Sequence, residues 1–234
     1  MTKRSRLRSL AGPLALGLLA ASLLAAPGAR AHGPGHDHHG AAAEDPAAAA
    51  AAAPSSPADP LAGRFGGPFE LVDQDGKTVT DRDFRGRFML VYFGYTHCVD
   101  VCPLDLTLHG AAIDKLGADA SKVVSIFVTV DPARDTPAVL KEFLSGFRTG
   151  TVGLTGPDAA IAKMAAAYKV HRRKLPLDSP EAAPLRNVAG AYIVDHGTLT
   201  FLMRPDGSFA TLIPHTDDPE ALARLLQRYV RPVS

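Results

Sequence analysis

Cys98 and Cys102 are the only cysteines in a chain of 234 residues, and they stand four positions apart in Phe93-Gly94-Tyr95-Thr96-His97-Cys98-Val99-Asp100-Val101-Cys102-Pro103. Thiolates are soft ligands that favour Cu(I) and Zn over hard cations, and two of them about one helical turn apart can chelate one ion or close a small disulfide. The pair is therefore the first candidate for a functional site, by metal binding or by redox exchange.

The elements around the pair follow from hydrophobic patterning. Residues 88–93 and 123–130 are short apolar runs rich in β-branched and aromatic side chains, as in buried parallel strands. Pro103 suits the first turn of a helix with Leu104, Leu108, Ala111 and Ala112 on one side. Thr136-Pro137 reads as an N-cap and first helical residue, with Val139, Leu140, Phe143, Leu144 and Phe147 as the buried stripe. A third helix runs from Asp158 through Ile161, Met164, Ala165 and Tyr168, and a last one turns Leu222, Leu225, Leu226, Tyr229 and Val230 inward. Residues 69–72 and 77–80 flank Asp75-Gly76 as a hairpin, and residues 198–203 and 209–213 flank Pro205-Asp206-Gly207 as a second antiparallel pair. The polar, proline-interrupted stretch 171–188 reads as a surface loop.

This β-α-β-α order ending in β-β-α predicts an α/β, thioredoxin-like fold with an N-terminal β-hairpin and inserted elements. On that plan the cysteines sit at a strand-to-helix junction, at the carboxyl edge of the sheet where ligands gather. The helix beginning near Pro103 turns its positive end toward the sulfurs and favours thiolate.

Composition limits where the chemistry happens. Lys3, Arg4, Arg6 and Arg8 precede an apolar stretch, and Ala29-Arg30-Ala31 has the small-x-small form of a signal-peptidase site. Residues 1–31 are accordingly expected to be a signal peptide, or an N-terminal membrane anchor, since the 21 uncharged residues between Arg8 and Arg30 are close to a bilayer span. The expected location is the periplasm, either free or anchored in the inner membrane with the domain facing the periplasm. Export permits oxidation of the cysteines in place. Without residues 1–31 the chain carries 20 basic against 24 acidic side chains, a balance of −4 that argues against a nucleic-acid surface. Residues 32–60 are read as a disordered linker: His32, His36, His38 and His39 crowd its start, and 11 of the 21 residues from 40 to 60 are alanine, too little apolar surface to offset the entropy of ordering. The histidine cluster is at most an accessory collector of Cu or Zn. Residues 61–234 suffice for one domain with a substantial core.

Four separated blocks resemble the Sco/SenC family of copper-binding assembly factors for cytochrome c oxidase. They are the cysteine run 93–103, then Asp131-Pro132-Ala133-Arg134-Asp135-Thr136, Gly153-Leu154-Thr155-Gly156, and Val194-Asp195-His196 followed by Pro205-Asp206-Gly207. The resemblance covers essentially all of residues 65–231, in the right order. It implies copper, Cu(I) and Cu(II), bound by Cys98, Cys102 and His196, and delivery to the binuclear copper site of cytochrome c oxidase subunit II. Another periplasmic copper chaperone is a further partner it suggests. Members commonly have proline after the first cysteine, where this chain has Val99.

Residue chemistry supports the histidine independently. His196 ends Tyr192-Ile193-Val194-Asp195 and precedes the strand that, in thioredoxin-like proteins, faces the cysteine pair. Two sulfurs and one neutral imidazole suit trigonal Cu(I), and Cu(II) if further weak ligands join. His97 is expected to point away from Cys98. His109, His171 and His215 are expected to be exposed, Asp131, Arg134 and Asp135 to serve in capping and local ion pairs, with orientation of the site loop as the alternative, and Asp100 to cap the following helix or tune the thiolates. The alternative to a chaperone is a thiol-disulfide oxidoreductase, with Cys98 attacking, Cys102 resolving, and the copper-ligand cysteines of the oxidase as substrate. A peroxiredoxin-type peroxidase is disfavoured because the Pro-Thr approach to its reactive cysteine is absent.

Overall fold

Valine, isoleucine and phenylalanine crowd two seven-residue strands, and these two form the centre of the structure. The computed structural model describes residue 61 and residues 63–148, 150–175 and 192–231. Its seven-stranded sheet has the order β2-β1-β5-β4-β3-β8-β9. The strands are β1 (Glu70–Asp73), β2 (Thr78–Thr80), β3 (Phe88–Gly94), β4 (Val123–Thr129), β5 (Val152–Thr155), β8 (Thr200–Met203) and β9 (Phe209–Ile213). β3, β4 and β5 run parallel, while β1, β8 and β9 pair antiparallel with their neighbours. β3 and β4 are buried on both faces, as parallel strands covered by helices must be.

Four helices cover the sheet: α1 (Val101–Asp114), α2 (Pro137–Leu144), α3 (Asp158–Ala167) and α4 (Pro219–Val230). The two-residue period of β3 and β8 splits the core. Leu90 and Leu202 pack with Ile113, Leu116, Leu222 and Leu226 of the α1 and α4 side, whereas Val91, Phe93, Phe201 and Met203 pack with Ile161, Met164 and Tyr168 of the α3 side. This is the expected thioredoxin-like architecture. Thr136 and Asp218 cap α2 and α4 by accepting from Val139 and Ala221 backbone N–H groups, and each is followed by proline.

α1 begins at Val101, so Pro103 stands in its first turn as expected, where its missing N–H has no intrahelical acceptor to serve, and Cys102 lies in that turn with it. Two expectations change. Leu104 is exposed, and the buried face of α1 is Cys102, Asp105, Leu106, Leu108, His109, Gly110, Ala112 and Ile113. Residues 172–175, expected in a loop, form β6 (Arg172–Leu175), paired antiparallel with β7 (Ile193–His196) in a separate two-stranded ribbon. A ribbon held by backbone hydrogen bonds needs little apolar alternation, so patterning alone misses it. Residues 176–188 of that loop, and the segments expected to be an export signal or anchor (1–31) and a linker (32–60), lie outside the described residues. Among the described residues no helix is long and apolar enough to cross a membrane.

Candidate metal centre

β3 ends at Gly94, and the chain turns through residues 95–100 before α1 starts. A Cβ on Gly94 would stand 2.7 Å from Phe127 Cε2 and 2.9 Å from Cys102 Sγ, so only glycine lets α1 come down onto the strand end. Cys102 is thereby sealed among Tyr92, Leu106, Phe127 and Leu140, with the Tyr92 hydroxyl donating to its sulfur over 3.8 Å. Cys98 is half-buried at the mouth, in a turn closed by its N–H to the Tyr95 carbonyl at 3.1 Å. Both thiols are free.

A buried carboxylate anchors this loop from beneath. Asp135 accepts from the Thr96 N–H (3.1 Å), the Thr96 hydroxyl (2.7 Å) and the Thr129 hydroxyl (2.6 Å), tying the cysteine loop to the end of β4. Asp131 and Arg134 hold the other side. Arg134 donates to Asp131 and to the Tyr192 carbonyl, its guanidinium stands 3.6 Å from the Tyr192 ring centroid, and the Tyr192 hydroxyl donates to Asp131 at 2.7 Å. Tyr192 leads directly into β7, whose last residue is His196.

That ribbon delivers the imidazole to the sulfurs. His196 Nε2 lies 3.7 Å from Cys102 Sγ, and the donor atoms of Cys98, Cys102 and His196 all fall within 4.8 Å of one another. His196 Nδ1 is 3.0 Å from the Gly197 carbonyl, which can only accept, so Nδ1 carries the proton and Nε2 keeps a lone pair toward the sulfurs. Tyr95 props the ring edge-on at a centroid distance of 5.7 Å, and its hydroxyl accepts from the Val194 backbone.

The two thiols are electrostatically unlike. Hydrogen bonding from Cys102 pulls the Cys98 thiol down to about 4; burial opposes the shift, and the backbone N–H groups of Asp100 and Cys102 reinforce it. Asp100 occupies the N-cap position of α1 without a side-chain bond, and the Cys98 sulfur takes that place at the helix's positive end. Cys102 is pushed in the opposite direction, because the neighbouring Cys98 thiolate and burial both favour its protonated form. One proton shared by two close thiols gives this asymmetry.

Among the described residues the other histidines stay apart from the cluster. His97 is exposed, with Nδ1 3.1 Å from the Thr96 hydroxyl, and His171 is exposed beside Asp195. His215 is exposed on one side and bonded to buried Asp105 at 2.7 Å. His109 corrects the expectation of exposure: it is fully buried on the inner face of α1, 3.0 Å from the Thr200 hydroxyl, and burial lowers it to about 4. Asp135 is not a cap either; Thr136 performs that role itself. Asp131, Arg134 and Asp135 fasten both halves of the site, the role the sequence offered only as the alternative to capping and ion pairing. The only sequence signal was their position in one of the four blocks, because their partners Thr96 and Tyr192 lie 39 and 58 residues away.

The family model for SCO1/SenC matches residues 57–231, three quarters of the chain. The chain belongs to the SCO1/SenC family. Protein SenC of Rhodobacter capsulatus is 40% identical over 161 residues, covering 68% of this chain and 68% of that protein. Protein sco1 of Schizosaccharomyces pombe is 38% identical over 167 residues, 71% of this chain but 61% of the relative's own length. Among solved structures, Bradyrhizobium japonicum ScoI with copper bound superposes with a TM-score of 0.62 at 43% identity, covering 70% of this chain and 99% of that one.

Proposed function

We propose that this SCO1/SenC protein is an exported copper metallochaperone that holds one copper through Cys98, Cys102 and His196 and delivers it to the binuclear copper site of cytochrome c oxidase subunit II. The observation that carries the reading is the convergence of two sulfurs and a lone-pair-bearing imidazole nitrogen within 4.8 Å. Three donors about 2.0–2.3 Å from one ion stand about 3.5–4 Å apart, which matches the Cys102–His196 separation of 3.7 Å. The set is soft and suits Cu(I). Copper bound to ScoI, and membership in a family of cytochrome c oxidase assembly proteins, support the choice of ion and recipient.

The side chains divide the work. Cys98 is ready as thiolate at the open mouth, while Cys102 must release its proton when the ion enters. His196 completes the set from the ribbon. Because the mouth is open at Cys98, acceptor thiolates can enter and the ion can leave by stepwise ligand exchange. Export through residues 1–31, and a periplasmic domain either free or anchored, are parts of the same proposal.

A second reading is favoured by the low Cys98 pKa beside a protonated Cys102, the arrangement of an attacking and a resolving thiol. In it the chain is a thiol-disulfide oxidoreductase that reduces the oxidase's copper-ligand cysteines. His196→Ala separates the two. The chaperone reading predicts that Cu(II) binding collapses and oxidase assembly in cells fails, while disulfide exchange by the purified variant persists. Normal assembly by a variant without bound copper would decide for the reductase.

A further inference from the structure

The buried face of α1 carries a carboxylate that the ligand set does not use. Asp105, three residues after Cys102, is only 3% exposed. Its Oδ1 lies 2.7 Å from Nδ1 of His215, which reaches in from the segment after β9 with its imidazole partly open to solvent. Its other oxygen, Oδ2, is buried without a hydrogen-bond partner among the described residues. A buried carboxylate with one oxygen left over is costly, so its place beside the site calls for a physical reason.

The reason lies in Tyr92. This side chain is fully buried in β3 beneath α1, its ring set edge-on to His109 at a centroid distance of 5.7 Å, and its hydroxyl donates to Cys102 Sγ over 3.8 Å. Cys102 and Asp105 share one face of the helix and both stand over that hydroxyl. Burial first, then the charges of Cys102 and Asp105 and hydrogen bonding to each, push the Tyr92 pKa upward. A phenol has one proton to donate. Two acceptors therefore compete for it, and the one it leaves is the orphaned oxygen of Asp105.

We propose that Asp105, held in place by His215, is a positioning residue for the copper site: it competes with the Cys102 sulfur for the Tyr92 hydroxyl and so sets how strongly that hydroxyl bonds the sulfur. The inference rests on Cys98, Cys102 and His196 being the ligands. A hydrogen bond to a ligating sulfur draws electron density from it and weakens its bond to Cu(II) more than to Cu(I). The share of the proton taken by Asp105 thus favours Cu(II), and the share taken by the sulfur favours Cu(I).

The test loads the full chain with copper and compares wild type with Tyr92→Phe, Asp105→Leu and the double variant, each at one copper per chain. The readouts are the sulfur-to-copper charge-transfer band of the Cu(II) form and the ratio of Cu(II) to Cu(I) affinities. Tyr92→Phe removes the donor, so the band should move to longer wavelength and the ratio should rise by about tenfold. Asp105→Leu leaves the hydroxyl to the sulfur alone, so both should move the opposite way. Loss of the Asp105 charge would by itself also favour Cu(I), and the double variant separates the two causes. If Asp105 acts through Tyr92, the double variant matches Tyr92→Phe. An Asp105→Leu shift that persists without the hydroxyl, or an Asp105→Leu variant that matches wild type, overturns the proposal alone. A wild type with no sulfur-to-copper band overturns the ligand set, and the proposal with it.

Discussion

The sulfurs and the imidazole reach the same point by different means. Cys98 and Cys102 follow β3, which pairs with β4 and β8 inside the seven-stranded sheet, and their loop is pinned by the three hydrogen bonds of buried Asp135. His196 ends a ribbon whose backbone pairing, among the described residues, is to its own second strand, held over the site by Arg134, Tyr192 and Tyr95. The difference teaches that the sulfurs are carried by the central strands, whereas the histidine is carried by a separate ribbon that reaches the core through Val194 and Tyr192. An ion held by all three is expected to lose its histidine first when an acceptor arrives.

The largest expected effect comes from breaking the sulfur side. Asp135→Ala leaves the Thr96 N–H and the Thr96 and Thr129 hydroxyls without their acceptor in a buried place, at a cost of about 3 kcal/mol. Denaturant unfolding measures it, and a loss below about 1 kcal/mol would mean that the loop is held otherwise.

Loosening the histidine side should act on affinity more than on stability. Tyr192→Leu removes the ring on which the Arg134 guanidinium lies and the hydroxyl that donates to Asp131, while Arg134 stays paired with buried Asp131. Outer-shell changes of this kind cost about 10- to 100-fold in metal affinity, and the loss should be larger for Cu(II), which leans more on the imidazole, than for Cu(I). Equal losses for both oxidation states would show that Tyr192 supports the sulfurs as well.

A smaller effect is set by acid. His109 lies on the sulfur side, buried in α1, and its folded pKa of about 4 is below the unfolded value of 6.5. Between those values the unfolded chain binds the additional proton, so stability is full above pH 6.5 and falls as pH drops toward 4. The decline should be about 1 kcal/mol from pH 7 to pH 5.5, and His109→Gln should flatten it. An unchanged slope in that variant would assign the acid sensitivity to other groups.

The sequence made the sulfur side legible from patterning, and His196 through the resemblance together with its place just before the strand that enters the sheet. Residues 88–93 and 123–130 carry a burial pattern that reveals strands, and Thr136-Pro137 marks its helix by local chemistry alone. The ribbon Arg172–Leu175 has exposed charged side chains and is defined by pairing to β7, a contact with no local signature. Asp135 looked like a cap because it precedes Thr136, while its partner Thr96 lies 39 residues back. His109 looked exposed because a histidine on a helix ordinarily is; burial under the Thr200 hydroxyl needs β8 to be in place.

The most direct test of the central claim is X-ray absorption at the copper edge of the Cu(I)-loaded full chain, beside His196→Ala. The account predicts two sulfur scatterers and one nitrogen per copper in the wild type, and two sulfurs without that nitrogen in the variant. A wild-type spectrum with more than two sulfurs per copper, or a nitrogen that survives the loss of His196, would contradict it.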